Sequence, residues 1–185
     1  RVRANKRNLG DSIENRPCHV EDREEFGHWE IDTVIGSKSK EDESLLTIVE
    51  RKTRNTLIRK IPAKTAEAVM QEFDQIKDEF GSRFQKVFKS LTADNGSEFA
   101  ALSTLKEQGV GVYFTHPYSA FERGTNENHN GLIRRFIPKG KKISEYSQEA
   151  IARVEEWING LPRKILGYKT PEELFDEELD LIYAL

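Results

Sequence analysis

The chain has almost no sulfur: Cys18 is its one cysteine and Met70 its one methionine among 185 residues. A lone thiol excludes a disulfide framework and a cysteine-built zinc site within one chain, and it fits a reducing, cytoplasmic setting. Long hydrophobic runs are missing too. No apolar stretch approaches the roughly 20 residues that a membrane helix needs, so no membrane partner is expected. No secretory-signal pattern is visible in a sequence that opens on Arg1 instead of Met. Charge of one sign is not in large excess: 29 Lys and Arg face 32 Asp and Glu, a formal net charge of −3. That balance argues against a surface that is basic all round, so any nucleic-acid contact has to come from local patches.

What is present describes a polar globular protein, 36% hydrophobic and 33% charged, long enough for one domain with a real core and a small appendage. The charge is unevenly placed. Residues 123–142 hold six bases (Arg123, Arg134, Arg135, Lys139, Lys141, Lys142) against one acid, Glu127, a local +5. Residues 1–7 carry Arg1, Arg3, Lys6 and Arg7 with no acid, whereas residues 171–180 carry six acids and no base.

Periodicity divides the chain further. Residues 1–25 are polar and aperiodic and read as a linker or extended arm. Residues 28–35 alternate as a strand does, which puts Glu30 and Asp32 on one face. Leu45 to Val49 and Asn55 to Ile61 complete a three-strand antiparallel meander. A helix follows, with Thr65 as N-cap and apolar residues from Ala66 to Phe80, stopped by Gly81. Val87 to Leu91 reads as a fourth strand, Ser97 to Gln108 as a helix and Val110 to Phe114 as a fifth strand. Helices are expected over about Thr125 to Phe136, after Ser147, and after Pro171 in a first-turn position. The pattern is an α/β domain with a five-stranded mixed sheet, the meander plus two parallel crossover strands, flanked by helices.

Three acids stand out against this frame. Asp32 lies mid-strand in an apolar run, Asp94 directly follows the fourth strand, and Glu127 lies in the first turn of a helix. Carboxylates beside a core are costly unless something pairs with them. If the first and fourth strands are neighbours, their Asp side chains meet at one sheet edge and a helix across that edge brings Glu127 to them. Such a set suits two Mg²⁺ or Mn²⁺ ions about 3.5–4 Å apart, the equipment of phosphoryl transfer. Each acid also has an ordinary reading: a solvated strand position, a turn residue in Asp94-Asn95-Gly96, a helix-dipole partner. Glu98, four residues after Asp94, is the rival third ligand.

The joint pattern resembles a known one. Trp29-Glu30-x-Asp32, Thr92-x-Asp94-Asn95-Gly96-x-Glu98-Phe99, Pro117-Tyr118-Ser119 and Gly124-x-x-Glu127-Asn128-x-Asn130-Gly131 resemble the catalytic core of DDE transposases and retroviral integrases. The fuller string from Arg123 to Phe136, then Pro138-Lys139, is similar to the IS-thirty family of bacterial insertion-sequence transposases. Thirty-two residues separate Asp94 from Glu127, and the resemblance extends over roughly residues 16–175, including Thr170-Pro171-x-Glu173. It implies a ribonuclease-H-like core over residues 26–160, after the arm of residues 1–25 and before a C-terminal helical extension of residues 161–185. It implies Asp32, Asp94 and Glu127 as metal ligands, and favours Glu127 over Glu98. The implied activity is cutting at transposon ends and joining the 3′-hydroxyl to target DNA, by a homo-oligomer on DNA in the bacterial cytoplasm. It further implies that this chain is the catalytic part of a longer protein. A nuclease without joining, or a degenerate DNA-binding or oligomerisation module, are the alternatives.

On the helix of Glu127, Asn130 and Arg134 follow at i+3 and i+7 and share its face. Asn130, Arg134, Arg135, Lys139, Lys141 and Lys142 are therefore the candidate DNA contacts, gripping phosphates without reading sequence. His116 and Glu30 are weaker candidates for the neighbourhood of the site.

Overall fold

A computed structural model describes residues 9–39, 41–116 and 124–184, with only the backbone given for Asn126 and Glu127. The described residues build a mixed sheet of β1 (Asp11–Ser12), β2 (His28–Ile35), β3 (Ser44–Glu50), β4 (Thr56–Ile61), β5 (Ser90–Ala93) and β6 (Gly111–Phe114), in the spatial order β1-β6-β5-β2-β3-β4. The meander of β2, β3 and β4 is antiparallel, and β5 and β6 run parallel to β2 as expected. The sheet has six strands instead of five. The extra one is β1, two residues that pair parallel with β6. Two residues are too few to leave a period in the sequence, so they were read within the arm.

Both faces of the sheet are covered, which is why β3 reads as an almost unbroken apolar run. On one face Trp29, Ile31, Leu46, Ile48, Leu57 and Ile61 pack with the helix α1 (Ala66–Phe80). On the other, Val34, Leu45 and Ile58 pack with Ile133 of α3 (Gly124–Ile133) and Ile151, Val154 and Ile158 of α4 (Gln148–Asn159). Each fully buried side chain of this size contributes about 1.5–3 kcal/mol. Trp29 has no exposed surface, stacks on Phe88 at 4.5 Å, and donates its indole N–H to the carbonyl of Val87 at 2.8 Å.

The helix boundaries follow their caps. Thr65 Oγ1 accepts from the Ala68 amide at 3.2 Å and starts α1, and Gly81, at φ +54°, ends it. Ser147 caps α4 in the same way. Thr170 and Glu173 exchange side-chain and backbone hydrogen bonds as a capping box, which starts the helix α5 (Pro171–Tyr183). From α5, Phe175 reaches the core beside Phe26 and Trp29.

Two segments differ from the sequence expectation. The helix expected over Ser97 to Gln108 is two 3₁₀ stretches, Ser97–Phe99 and Leu102–Gln108. Its buried residues Phe99, Leu102 and Leu105 recur every three positions, the period of a 3₁₀ helix. The fourth strand starts at Ser90, because Phe84, Val87 and Phe88 have helical spacing and form the turn α2 (Phe84–Val87) and its cap.

Candidate metal and nucleic-acid site

The site grows from one register. β2 and β5 are adjacent and parallel, with His28 level with Ser90 and Glu30 level with Thr92. Continued two residues further, one past the end of β5, the same register sets Asp94 opposite the position of Asp32 by extrapolation. Alternation puts these pairs on the α3 face, because Trp29, Ile31, Leu91 and Ala93 between them point into the opposite core. The pairs form three rungs. The first is closed by a hydrogen bond between His28 Nδ1 and Ser90 Oγ at 2.7 Å. The second is capped by arginines: Arg51 donates to the fully buried Glu30, and Arg16 donates to Thr92 Oγ1 at 2.9 Å. The third rung lies towards the carboxyl ends of the strands, where parallel α/β sheets bind ligands: Asp94 directly follows β5, and Asp32 is three residues before the end of β2.

Each Asp carboxylate is held. Asp32 Oδ1 accepts from the Thr33 amide at 2.8 Å and Oδ2 accepts from Asn130 Nδ2 at 2.9 Å. Thr47, level with Asp32 on β3, donates to the Asp32 carbonyl at 3.3 Å and lies 3.4 Å from Asn130 Oδ1. Asp94 Oδ1 accepts from the Gly96 amide at 2.7 Å, and Asn95 Nδ2 donates to the Thr115 carbonyl at 2.6 Å, so the Asp94-Asn95-Gly96 turn is fixed at both ends. Asp94 borders an open cleft of about 490 Å³ together with Leu9, Lys64, Asn95, Gly96, Ser97 and Glu98.

The other sequence candidates fall as follows. Glu127 lies in α3, three residues before Asn130, and its side chain is outside the described residues. Glu98 is buried, receives the Thr33 hydroxyl at 2.9 Å and pairs with Lys64 at 3.0 Å. Asn130 turns its amide to Asp32. Arg134 donates to the carbonyls of Ile35 at 2.7 Å and Ile137 at 3.4 Å, and burial lowers its pKa. Arg135, Lys139, Lys141 and Lys142 are exposed. The Lys139–Lys142 segment is pinned to the end of β2 by the Gly140 amide on the Gly36 carbonyl at 2.9 Å, and to Asp42 through the amides of Ile143 and Ser144. His116 lies 3.4 Å from Glu14. Pro117 to Arg123 are outside the described residues.

Sequence reading did not find the arginines. Arg51 reaches Glu30 across the β2–β3 hairpin, and Arg16 reaches Thr92 over 76 positions. A mid-strand Glu30 on the face of Asp32 was the available signal, since a buried carboxylate needs a cation. Among the described residues, His19, Glu25 and His28 also bring three ligand atoms within 4.8 Å of one another. That group sits at the opposite end of the β2–β5 ladder from Asp32 and Asp94, and Lys89 contacts its carboxylate at 2.7 Å.

The donor chemistry at the third rung is all oxygen. Two carboxylates with fixed amide partners fit a hard divalent cation such as Mg²⁺ or Mn²⁺, and neither thiol nor imidazole joins them among the described residues.

Comparison with known proteins places this geometry. Residues 22–120 match the integrase core domain family. The chain is 46% identical over 171 residues to the "Probable transposase for insertion-like sequence element IS1161" of Streptococcus salivarius, covering 92% of this chain and 48% of that protein. It is 42% identical over 166 residues to the transposase for insertion sequence element IS4351 of Bacteroides fragilis, covering 89% and 49%. With the transposase InsI for insertion sequence element IS30C of Escherichia coli (strain K12) it shares 39% over 173 residues, covering 93% and 44%. The chain thus spans about half the length of these relatives. Its fold is that of the crystallised catalytic core domain of BIV integrase, at a TM-score of 0.63 and 21% identity, over 86% of this chain and 99% of that one. The ribonuclease-H-like architecture expected from the sequence is therefore the one present, and the chain belongs to the integrase core domain family.

Proposed function

We propose that this chain is the catalytic core of an insertion-sequence transposase, cutting phosphodiesters at transposon ends and joining the freed 3′-hydroxyl to target DNA. One observation carries the reading: Asp94 directly follows β5, which pairs in parallel with the β2 of Asp32, and α3, the helix of Glu127, holds Asp32 through Asn130. In this reading Asp32, Asp94 and Glu127 hold Mg²⁺ or Mn²⁺. Bound there, the cations supply a nucleophile at neutral pH and charge stabilisation on the leaving oxygen.

The chain's own residues do the positioning. Asn130 and the Thr33 amide fix the orientation of the Asp32 carboxylate, and the Gly96 amide fixes that of Asp94. Arg135, Lys139, Lys141 and Lys142 are exposed beside α3 and are taken as phosphate contacts that hold a DNA strand without reading it. Arg134 supports the same surface from the end of β2. Residues 26–160 are taken as the catalytic core, the segment before it as an arm, and residues 161–185 as its helical extension. A homo-oligomer on two transposon ends, in the bacterial cytoplasm, completes the reading. No helix among the described residues is long and apolar enough to cross a membrane.

The test is a joining assay with a duplex carrying a free 3′-hydroxyl, in Mg²⁺ or Mn²⁺. Asp32→Asn, Asp94→Asn and Glu127→Gln are each expected to abolish joined product. A variant that joins normally would remove its residue from the ligand set. Hydrolysis without joining by the parent protein would select the nuclease reading.

A further inference from the structure

The helix α3 has a second polar face, turned away from Asp32. Thr125, Asn128 and His129 fall on it at i, i+3 and i+4, each about 100–160° around the axis from Glu127 and Asn130 at 100° per residue. These residues line a pocket of about 390 Å³ whose other walls include Arg23, Arg54 and Arg163. Gly124 at the helix start also lines it, so the pocket opens on the amino-terminal end of a ten-residue helix, where backbone N–H groups and the dipole favour an anion.

The arginines are not used up by the protein. Arg54 is nine-tenths buried, and its Nη1 donates to Thr125 Oγ1 at 3.0 Å, yet its Nε is buried with no hydrogen-bond partner. Arg163 Nη2 donates to the Ile158 carbonyl at 3.0 Å, and its buried Nε is also without a partner. Among the described residues no acid lines the pocket, although Glu30 and Glu50 lie near enough to act on Arg54. Glu30 is paired with Arg51, and Glu50 accepts from the Gly27 and Thr53 amides and the Thr53 hydroxyl. Three guanidinium groups thus share one concavity. Burial, then the proximity of Arg23, lowers the Arg54 pKa to about 10, still charged at neutral pH. Among the described residues the pocket is lined by three arginines and no acid, and two of those guanidinium groups carry a buried Nε without a hydrogen-bond partner, a setting that favours an oxyanion acceptor.

We propose that this pocket is a phosphate subsite that takes one backbone phosphate of bound DNA, separate from the phosphate that reacts at Asp32 and Asp94. The choice of DNA as the source rests on the transposase-core reading above. Position supports it: Arg23 and Arg54 feel the charge of Glu30, which is one rung, about 7 Å, from Asp32 along β2. A DNA strand carries a phosphate about every 3.4 Å of axis, so a strand at the acids reaches the pocket within a few nucleotides.

The test uses the whole 185-residue chain without divalent metal, so that cleavage plays no part in it. The Nε–Hε signals of Arg54 and Arg163 are followed in ¹H–¹⁵N spectra during titration with inorganic phosphate and, separately, with a short DNA duplex. Salt dependence of duplex affinity is measured for the parent, Arg163→Gln, Arg23→Gln and the charge-conserving Arg163→Lys. Shifts of both signals with duplex are expected. The two Gln variants are expected to lower the log–log salt slope by about one each, an affinity loss about three- to fourfold smaller between 50 and 200 mM salt. Arg163→Lys should keep the parental slope. Shifts with inorganic phosphate but parental slopes in both Gln variants would overturn the DNA assignment, leaving a site for free anions. Unshifted signals with both probes would overturn the pocket as a phosphate site altogether. Failure of strand transfer with this pocket intact would instead count against the catalytic reading alone.

Discussion

The side-chain amide of Asn130 donates to Asp32 Oδ2 at 2.9 Å, joining two residues 98 positions apart and tying α3 to the centre of the sheet. The contact orients a candidate metal ligand from outside the ligand set. Such supporting partners typically govern affinity or activity by about 10- to 100-fold when removed. Asn130→Ala is expected to lower metal-dependent joining by that range and to raise the Mg²⁺ concentration needed for half-maximal rate. Its effect on unfolding free energy should stay near 1 kcal/mol, the value of one partly exposed hydrogen bond. An Mg²⁺ titration of the rate alongside urea unfolding separates the two effects, and a parental Mg²⁺ profile in the variant would rule the positioning role out.

Arg51 and Glu30 are both buried to within 1% of full exclusion and paired across the β2–β3 hairpin. Breaking a buried pair leaves an uncompensated charge and costs about 3–5 kcal/mol. Arg51→Met should therefore destabilise by that amount, read as a lower urea midpoint. The double replacement Arg51→Met with Glu30→Leu should recover much of the loss, because the carboxylate that lost its Arg51 partner is then gone too. Equal losses in the single and double variants would show that Arg51 acts through packing.

How much of this was legible depended on range. The meander, α1, α4 and α5 were readable because caps and apolar spacing lie within one element, as with Thr65 before Ala68 or Thr170 before Glu173. Asp32 and Asp94 were readable as candidates from their strand contexts, but their register is a property of two strands and was reached only as a condition. Asn130 was assigned to DNA because helix spacing shows the face it shares with Glu127 and not what that face meets. Arg23, Arg54 and Arg163 come from three distant segments, and no local period marks their convergence.

Gly36 closes β2 against the basic segment. A methyl group there would lie 2.0 Å from the Lys141 carbonyl oxygen and 3.0 Å from the Ile143 nitrogen, both backbone atoms that cannot rotate aside. Gly36→Ala is expected to displace residues 139–143, cost about 1–3 kcal/mol as overpacking does, and lose the Gly140-to-Gly36 hydrogen bond. Faster amide exchange at Gly140 and Ile143, together with a lower melting temperature, would report it. Parental exchange at both amides would show that the chain accommodates the methyl elsewhere.

Glu25 and His28 at the far end of the ladder, together with His129 on α3, contribute stability that is lost on acidification. Burial holds the His28 pKa below its usual 6.5 despite the nearby Glu25 carboxylate, so the imidazole is neutral at pH 7. Hydrogen bonds from His28 and then Lys89 hold the Glu25 carboxyl down, at about 2. In both cases the unfolded chain binds the proton more readily, so stability rises with pH across each interval. The His28 contribution is complete above about pH 6.5 and is lost as pH falls through and below that value. The Glu25 contribution is complete above about pH 4.5 and is lost as pH falls towards 2. Glu25 is partly exposed, so solvent screening keeps its share small. Glu50, Glu72 and Glu155, whose carboxyl pKa burial raises, act in the opposite sense, so the share of His28 and Glu25 is read as the difference in urea midpoint between the parent and variants lacking His28 or Glu25, and that share declines from about pH 6.5 downward. His129, which burial also holds below 6.5, adds to the same decline. His28→Gln, which keeps a donor near the position of Nε2, should flatten the limb between about pH 6.5 and 5 in part, leaving the His129 share. An unchanged limb in that variant would assign the acid sensitivity to His129 alone.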